Sequence, residues 1–130
     1  MPNDQFRTNF AKVLKKAGDK WPLLIKKVAV DLGRKVVQGS PVDTGRFKSN
    51  WVYGNGTINT ATTDATNIDA MVGITAGVET WTPGAIIYIT NSLPYARRLE
   101  YGWSKQAPQG MVRLAVQDFK ANVNSAAKAL

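Results

Sequence analysis

The stretch DKWPLLIKKVAVDLGRKVVQGSP, residues 19–41, decides the fold class because it carries a clear helical pattern. Its apolar residues recur every three or four positions, the spacing that places side chains on one face of an α-helix: Trp21, Leu24, Ile25, Val28, Leu32 and Val36. Asp19 is a good N-cap residue, and Pro22 is tolerated in a first turn. Gly39 suits a left-handed helix end, and Pro41 disfavours helix in Ser40. The sequence therefore predicts a helix between Asp19 and Gly39.

Two further helices flank this one. In the first, the apolar residues Phe6, Phe10, Val13, Leu14 and Ala17 share a face. In the closing helix, predicted over Gln109–Ala127, Val112, Val116, Phe119 and Val123 do the same.

The middle of the chain has β character. We predict strands at Asn50–Tyr53, Met71–Ile74, Val78–Trp81 and Ala85–Thr90, the last containing the apolar run Ile86-Ile87-Tyr88-Ile89. Thr57–Ala70 is rich in Thr, Asn, Ala and Asp, so it cannot bury much surface and is expected to be a mobile loop. The order helices, sheet, helix predicts an α+β fold. N-terminal helices and a C-terminal helix would pack on a small antiparallel β-sheet with a long polar loop, as one domain spanning residues 1–130.

The composition excludes several classes of site. The 130 residues contain no Cys and no His, which rules out disulfides, thiolate nucleophiles and the commonest transition-metal ligand. No phosphate-binding glycine loop or calcium-binding spacing is present. We expect no cofactor, no metal and no catalytic residue. The polar N-terminus and the charges within residues 21–37 indicate neither a signal peptide nor a membrane span.

The charge is basic and uneven. The chain carries 17 Lys and Arg against 9 Asp and Glu, a formal net charge of +8. Residues 1–50 carry +7, residues 51–90 carry −3 without any Lys or Arg, and residues 91–130 carry +4. Lys20, Lys27 and Arg34 recur every seven residues, which gives either a solvated helix face or a face for DNA or an acidic partner.

Asp43-Thr44-Gly45 is the triplet that holds the catalytic aspartate in aspartic proteases, some of which are dimers with one triplet per chain. That chemistry needs two rigidly held carboxylates that share a proton. Here the preceding residues are polar, and Arg46 and Lys48 would favour ionised carboxylates. A protease is therefore a remote alternative. The better interpretation is a structural turn over Asp43, Thr44, Gly45 and Arg46, in which the Asp43 carboxylate caps the turn.

A dense group of Arg and aromatic residues lies near position 100. Tyr, Trp and Arg are the residue types enriched at interface hot spots, so we predict a subunit interface formed by Tyr95, Arg97, Arg98, Glu100, Tyr101 and Trp103. The alternative is that Tyr95 and Trp103 close the core of the domain. Arg98 and Glu100 are too close in sequence to face each other on a helix, so at least one needs a partner elsewhere, which we expect on a neighbouring subunit. Arg and aromatic residues can also stack on bases, and a small basic nucleic-acid-binding module is the alternative function.

Two segments resemble a known family. SPVDTGRFKSNW (residues 40–51) and NSLPYARRLEYGWS (residues 91–104), the latter followed by QAPQGMVR (residues 106–113), resemble two blocks of the HK97 gp10-like group of tailed-phage neck, tail-completion or minor tail proteins. The blocks follow each other in the family's order, with a variable region between them.

The resemblance implies a non-enzymatic virion protein that is assembled in the host cytoplasm and acts at the head–tail junction. It would form a ring around the DNA channel. The implied partners are other copies of itself, the head-closure or connector proteins, and the tail tube or tail terminator proteins. DNA would pass through without sequence specificity, and no membrane is involved.

Overall fold

The computed structural model describes residues 4–102, 104–107 and 109–130. Short 3₁₀ turns precede α2 and β1, at Gly18–Lys20 and Lys48–Asn50. In chain order the regular elements of the described residues are α1 (Asp4–Ala17), α2 (Trp21–Gln38), β1 (Trp51–Asn55), α3 (Ala70–Glu79), β2 (Ile87–Asn91), α4 (Ala96–Glu100) and α5 (Val112–Lys128). Within that part of the chain, no helix is long and apolar enough to cross a membrane.

Helices α1 and α5 pack side by side and run in the same direction. The Phe6 ring meets the Phe119 ring edge-on, with 5.6 Å between centroids. Further along both helices, Asn9 Nδ2 donates to Asn124 Oδ1 at 2.8 Å. The C-terminal helix predicted from its apolar spacing is thus present, and its main neighbour is the N-terminal helix.

Strands β1 and β2 form an antiparallel pair in which Trp51 lies opposite Asn91 and Asn55 lies opposite Ile87. Helix α3 packs against both β1 and α2. A close approach of α2 explains Gly33, because a Cβ there would lie 3.2 Å from Ile74 Cγ2 and 3.3 Å from Ile89 Cδ1. The helices and the sheet therefore share one core, built from Ala29, Val36, Val37, Phe47, Trp51, Ala70, Ile74, Val78, Leu93, Met111 and Ala115.

The predicted α+β class is confirmed, with helices around a small antiparallel sheet. The strands at Asn50–Tyr53 and Ala85–Thr90 are also present, displaced slightly to Trp51–Asn55 and Ile87–Asn91.

The strands predicted at Met71–Ile74 and Val78–Trp81 are wrong, because helix α3 covers most of this segment. Its N-terminus is capped by Asp69, whose Oδ1 accepts from Met71 N at 3.0 Å. Ala70, Ile74 and Val78 are buried at intervals of four residues. Burial of this stripe against α2 and β1 outweighs the β preference of the branched residues.

The helix ends of α2 also differ from prediction. Asp19 lies in a 3₁₀ turn, and neither that turn nor α2 has a side-chain cap. Gly39 has φ −79° and is not left-handed; its N–H bonds to Lys35 O, so the helix simply ends there. Pro22 does lie in the first turn of α2, as predicted.

Candidate assembly surface

The two segments that suggested a family lie against each other in the structure. Trp51 Nε1 donates to Ser40 Oγ at 2.8 Å within the first segment. Between the segments, Asn91 Nδ2 donates to Phe47 O at 2.8 Å, and the rings of Phe47 and Tyr95 lie 6.1 Å apart. The two segments thus form one structural unit.

The side-chain amides of Gln and Asn form hydrogen bonds with irregular backbone segments, in the way that a neighbouring strand would. Gln106 accepts from Val42 N at 2.8 Å and donates to Val42 O at 3.0 Å. Asn50, which is 1% exposed, accepts from Thr63 N at 2.8 Å and donates to Thr63 O at 3.0 Å. Each amide supplies both bonds that a neighbouring strand would supply, so loops are fixed without extending the sheet.

The long polar loop between β1 and α3 is attached to the first segment at further points. Ser49 Oγ accepts from Ile68 N at 3.1 Å, and Arg46 Nη2 lies 3.1 Å from Asp64 Oδ1. Gly45 has φ +92°, and a Cβ there would collide with Thr66 O. The loop has neither helix nor strand over residues 57–69, as predicted. The mobility of this loop remains a prediction. The attachments would confine such motion to the stretches of the loop between the attached residues.

The capping role predicted for Asp43 is wrong. Asp43 is exposed and accepts no hydrogen bond from any described residue. The Thr44 hydroxyl takes that role, because its Oγ1 accepts from Arg46 N at 3.2 Å.

Glu100 caps helix α5. Its Oε1 accepts from Met111 N at 3.1 Å and Val112 N at 2.8 Å, and its Oε2 accepts from Arg113 N at 3.0 Å. A carboxylate at a helix N-terminus satisfies free N–H groups and complements the helix dipole. Gly110 has φ +80° and makes this approach possible, because a Cβ there would collide with Glu100 O and Oε2. Glu100 therefore finds its partner within the chain, not on the neighbouring subunit that we expected.

An exposed Arg–Tyr patch, which we define as Arg97, Arg98, Tyr101 and Arg113, lies over this cap. Tyr101 is 60% exposed. The guanidinium carbons of Arg97 and Arg113 lie 5.8 and 5.1 Å from the centre of its ring. Arg113 is held in turn by its Nε, 3.2 Å from Glu100 Oε2, and by a bond from Nη2 to Glu100 O. The patch is thus preorganised by the capping network beneath it.

The structure divides the predicted interface residues. Arg97, Arg98 and Tyr101 are exposed, whereas Tyr95 is half-buried against the core and Glu100 is occupied by α5. Trp103 lies outside the described residues. Arg113, which the sequence reasoning did not select, joins the patch from α5. In the sequence, Arg113 is recognisable only as a basic residue close to the start of a helix that follows a glycine.

The basic residues Lys20, Lys27 and Arg34 are all exposed along one side of α2 and the turn before it. Arg34 Nη1 lies 3.3 Å from Asp31 Oδ1, a surface pair in which both side chains are about half exposed. Lys27 and Arg34 border an open groove between α2 and the α1–α5 pair. The predicted basic face thus lies beside apolar surface.

The Arg–Tyr patch carries the residue types that are enriched at interface hot spots. The chain belongs to the family described as "Bacteriophage HK97-gp10, putative tail-component", which matches residues 4–102. This is the family that the two segments resemble. The protein is therefore a structural component of a bacteriophage, and such a family fits a location in the virion. No curated protein and no solved structure gave a significant match.

The match ends at residue 102, before the described residues 104–107 and 109–130. Helix α5 nevertheless belongs to the same folded unit, because Glu100 caps its N-terminus and Phe119 packs on α1.

Proposed function

We propose that this protein is a ring-forming subunit at the head–tail junction of a tailed phage. Around the DNA channel, it would bind a neighbouring virion protein through the Arg–Tyr patch. The observation that supports this proposal is the exposed Tyr101 ring, whose centre lies 5.8 and 5.1 Å from the guanidinium carbons of Arg97 and Arg113. Tyr and Arg dominate interface hot spots, and a preorganised pair loses little conformational entropy on binding.

The proposal agrees with the different roles of the two segments that resemble the family. The segment of residues 40–51 fixes loops and core, as the bonds of Asn50 and Trp51 illustrate. The second segment instead directs charged and aromatic side chains outward from α4. A small domain in which one segment stabilises the fold and the other exposes charged and aromatic side chains is suited to assembly with neighbours.

The test is complementation of particles by the variants Tyr101→Ala and Arg97→Ala. Both should be folded by circular dichroism, because each residue is exposed, but should leave filled heads without joined tails. Truncation of a hot spot costs about 2 kcal/mol or more of association. Ile86→Ala is the matched control, since Ile86 is 62% exposed and lies outside the patch. Folded patch variants that join heads to tails as well as Ile86→Ala does would overturn the proposed contact.

A further inference from the structure

An apolar groove runs between α2 and the α1–α5 pair, on the side of the molecule away from the sheet. Its volume is about 540 Å³. Its walls are mainly aliphatic and aromatic, and the polar residues Gln38 and Asn122 also line it. The apolar side chains of the walls are Phe10, Val13, Leu24, Val28, Leu32, Phe119, Val123 and Ala126. All of these except Val123 and the exposed Ala126 are only half-buried. Part of the helical layer's apolar surface is thus left for another molecule to cover.

The border of this groove is basic. Lys27, Arg34 and Lys35 line it on α2, together with Asp31. Arg34 pairs with Asp31 at 3.3 Å, and Lys35 pairs with Asp118 of α5 at 3.6 Å. Lys27 is exposed and forms no ion pair with any described residue. A phosphate backbone would use the cations but not the apolar walls, whereas an amphipathic helix with acidic residues would use both.

Helix α3 has these properties on its outward face. Val72 is 69% exposed, and Thr75, Ala76 and Glu79 are exposed beside it. Asp69 lies at the helix start, and no Lys or Arg occurs anywhere in residues 51–90. At the other end of the helix, Lys26 Nζ of α2 donates to the backbone O of Glu79 at 3.1 Å. The face is apolar, narrow and acidic, and is therefore complementary in charge and polarity to the groove.

The sizes of the two surfaces agree. At 1.5 Å per residue, Ala70–Glu79 is about 15 Å long, and the groove-lining part of α2 from Leu24 to Gln38 spans about 22 Å, so α3 fits within the length of the groove. Gly73 has no atom within 4 Å of a built Cβ, so the outward side of α3 is open along the middle of the helix.

The two surfaces also lie on opposite sides of α2. Gly33 faces α3 and Asp31 borders the groove. At about 100° per residue, these two positions are separated by roughly 160° around the helix. A copy docked by its α3 in the groove of a second copy leaves its own groove free for a third. This is a head-to-tail contact, which generates a ring when the rotation between successive copies closes.

We propose that α3 of one copy docks in the α1–α2–α5 groove of the next, with Glu79 and Asp69 facing the basic border. This contact rests on the proposed ring function and names the surfaces that would join its subunits. It leaves the Arg–Tyr patch free for a different virion protein.

Site-specific cross-linking tests the contact directly, since the natural chain contains no cysteine. The exposed positions Val72 on α3 and Asn122 on the groove wall each receive a cysteine, in V72C, N122C and the double variant, and assembled particles are treated with a bis-maleimide. A ladder of oligomers from the double variant, with none from either single variant, is expected. Particles that contain the double variant but give no ladder overturn the contact while leaving the junction function intact. Dimers from V72C alone would instead indicate a symmetric α3–α3 contact and would also overturn it.

Charge exchange provides an independent test that does not need cross-linking. Lys27→Glu and Glu79→Lys each place like charges across the contact and should lower the yield of joined particles about tenfold. Co-expression of the two variants should restore it. In a ring that alternates the two variants, every second contact would bring the two substituted positions together with their charges exchanged, and the contacts between would be native.

Lys15→Glu and Asp43→Lys are the matched controls, with equal charge changes at exposed positions outside both surfaces. Co-expressed variants that do no better than either alone would overturn the proposal, as would single variants that assemble like the controls. If Lys27→Glu acted instead through DNA, co-expression would not rescue it, and the salt dependence of DNA binding would fall. Absence of the unsubstituted protein from joined particles would refute the junction function itself.

Discussion

The Glu100 carboxylate accepts the backbone N–H of Arg113 at 3.0 Å and the same residue's side-chain Nε at 3.2 Å. The end of α4 therefore fixes the first turn of α5, and the guanidinium that stacks on Tyr101 is held from below. The free energy of unfolding and the position of the Arg113 guanidinium in the exposed patch therefore depend on the same carboxylate.

Glu100→Ala should lower the free energy of unfolding by about 1–3 kcal/mol, because it leaves three backbone N–H groups at the start of α5 without their acceptor. Urea denaturation measures the loss. Glu79→Ala is the control, since Glu79 is exposed at the end of α3. Equal, small losses in the two variants would show that the cap contributes nothing.

Gly110→Ala tests the same cap from its other side. The substitution places a Cβ in left-handed backbone and within collision distance of Glu100 O and Oε2. Gly84→Ala is matched in backbone, with φ +107° and no atom within 4 Å of the added Cβ. Gly84→Ala should cost about 1 kcal/mol for the backbone alone, and Gly110→Ala should cost clearly more in the same thermal melts. A cost no larger than that of Gly84→Ala would contradict the steric argument.

Two glycines of α3 should respond in opposite directions to alanine. A Cβ at Gly77 would overlap the Tyr53 ring, whereas a Cβ at Gly73 meets nothing within 4 Å. Gly73→Ala should stabilise the protein by up to about 1 kcal/mol through helix propensity, and Gly77→Ala should destabilise it despite the same propensity gain. Denaturation of both variants is the measurement. If Gly73→Ala were destabilising in the isolated protein, the assignment of this segment as a helix packed on β1 would be in question.

Asn50→Asp should be severely destabilising, by about 2–4 kcal/mol, because a carboxylate would face Arg46 O and Thr63 O where an amide now donates. Hydrogen exchange at the Thr63 amide should be slow in the unsubstituted protein, because Asn50 Oδ1 accepts from it, and should become fast in the variant. Asn67→Asp is the control, since Asn67 is exposed in the same loop. A Thr63 amide that exchanges rapidly in the unsubstituted protein would show that the whole loop is mobile, as its composition suggested.

Two substitutions in the turn at Asp43 test which of two side chains, Asp43 or Thr44, caps it. Asp43→Ala should change stability by less than about 0.5 kcal/mol, because the residue is exposed and accepts no bond from the described residues. Thr44→Val should cost about 0.5–1.5 kcal/mol, since it removes the hydroxyl that accepts from Arg46 N. Thermal melts of the two variants decide the matter. The reverse order would restore the capping role to the aspartate.

The sequence predicted the existence of the long helices well, because their apolar residues recur with helical spacing. The buried face of α2 differs in part from the predicted stripe: Ala29, Val36 and Val37 are buried, whereas Trp21 is exposed. The prediction failed at α3 because a short apolar run of Val, Ile and Thr with two glycines has the local preferences of a strand. What makes it a helix is tertiary: the glycine at 77 admits the Tyr53 ring, and Ile74 is fully buried. The one local signal of a helix start was Asp69, a residue type that often caps helices, four residues before Gly73.

The site was predicted only in part for a related reason. The density of Arg and aromatic residue types pointed to Arg97, Arg98 and Tyr101, which are exposed. The partners of Glu100 lie 11 to 13 residues further on, beyond any helical spacing rule. The groove beside Lys27 and Arg34 could not be inferred either, since it forms only when three helices from both ends of the chain meet.

The most direct test of the central claim is a cryo-electron microscopy reconstruction of virions that contain this chain. The account predicts a closed ring of copies between head and tail, with each α3 seated in the next copy's groove and the Arg–Tyr patch against a different protein. Density for this fold elsewhere in the particle, or at the junction without a ring, would contradict it.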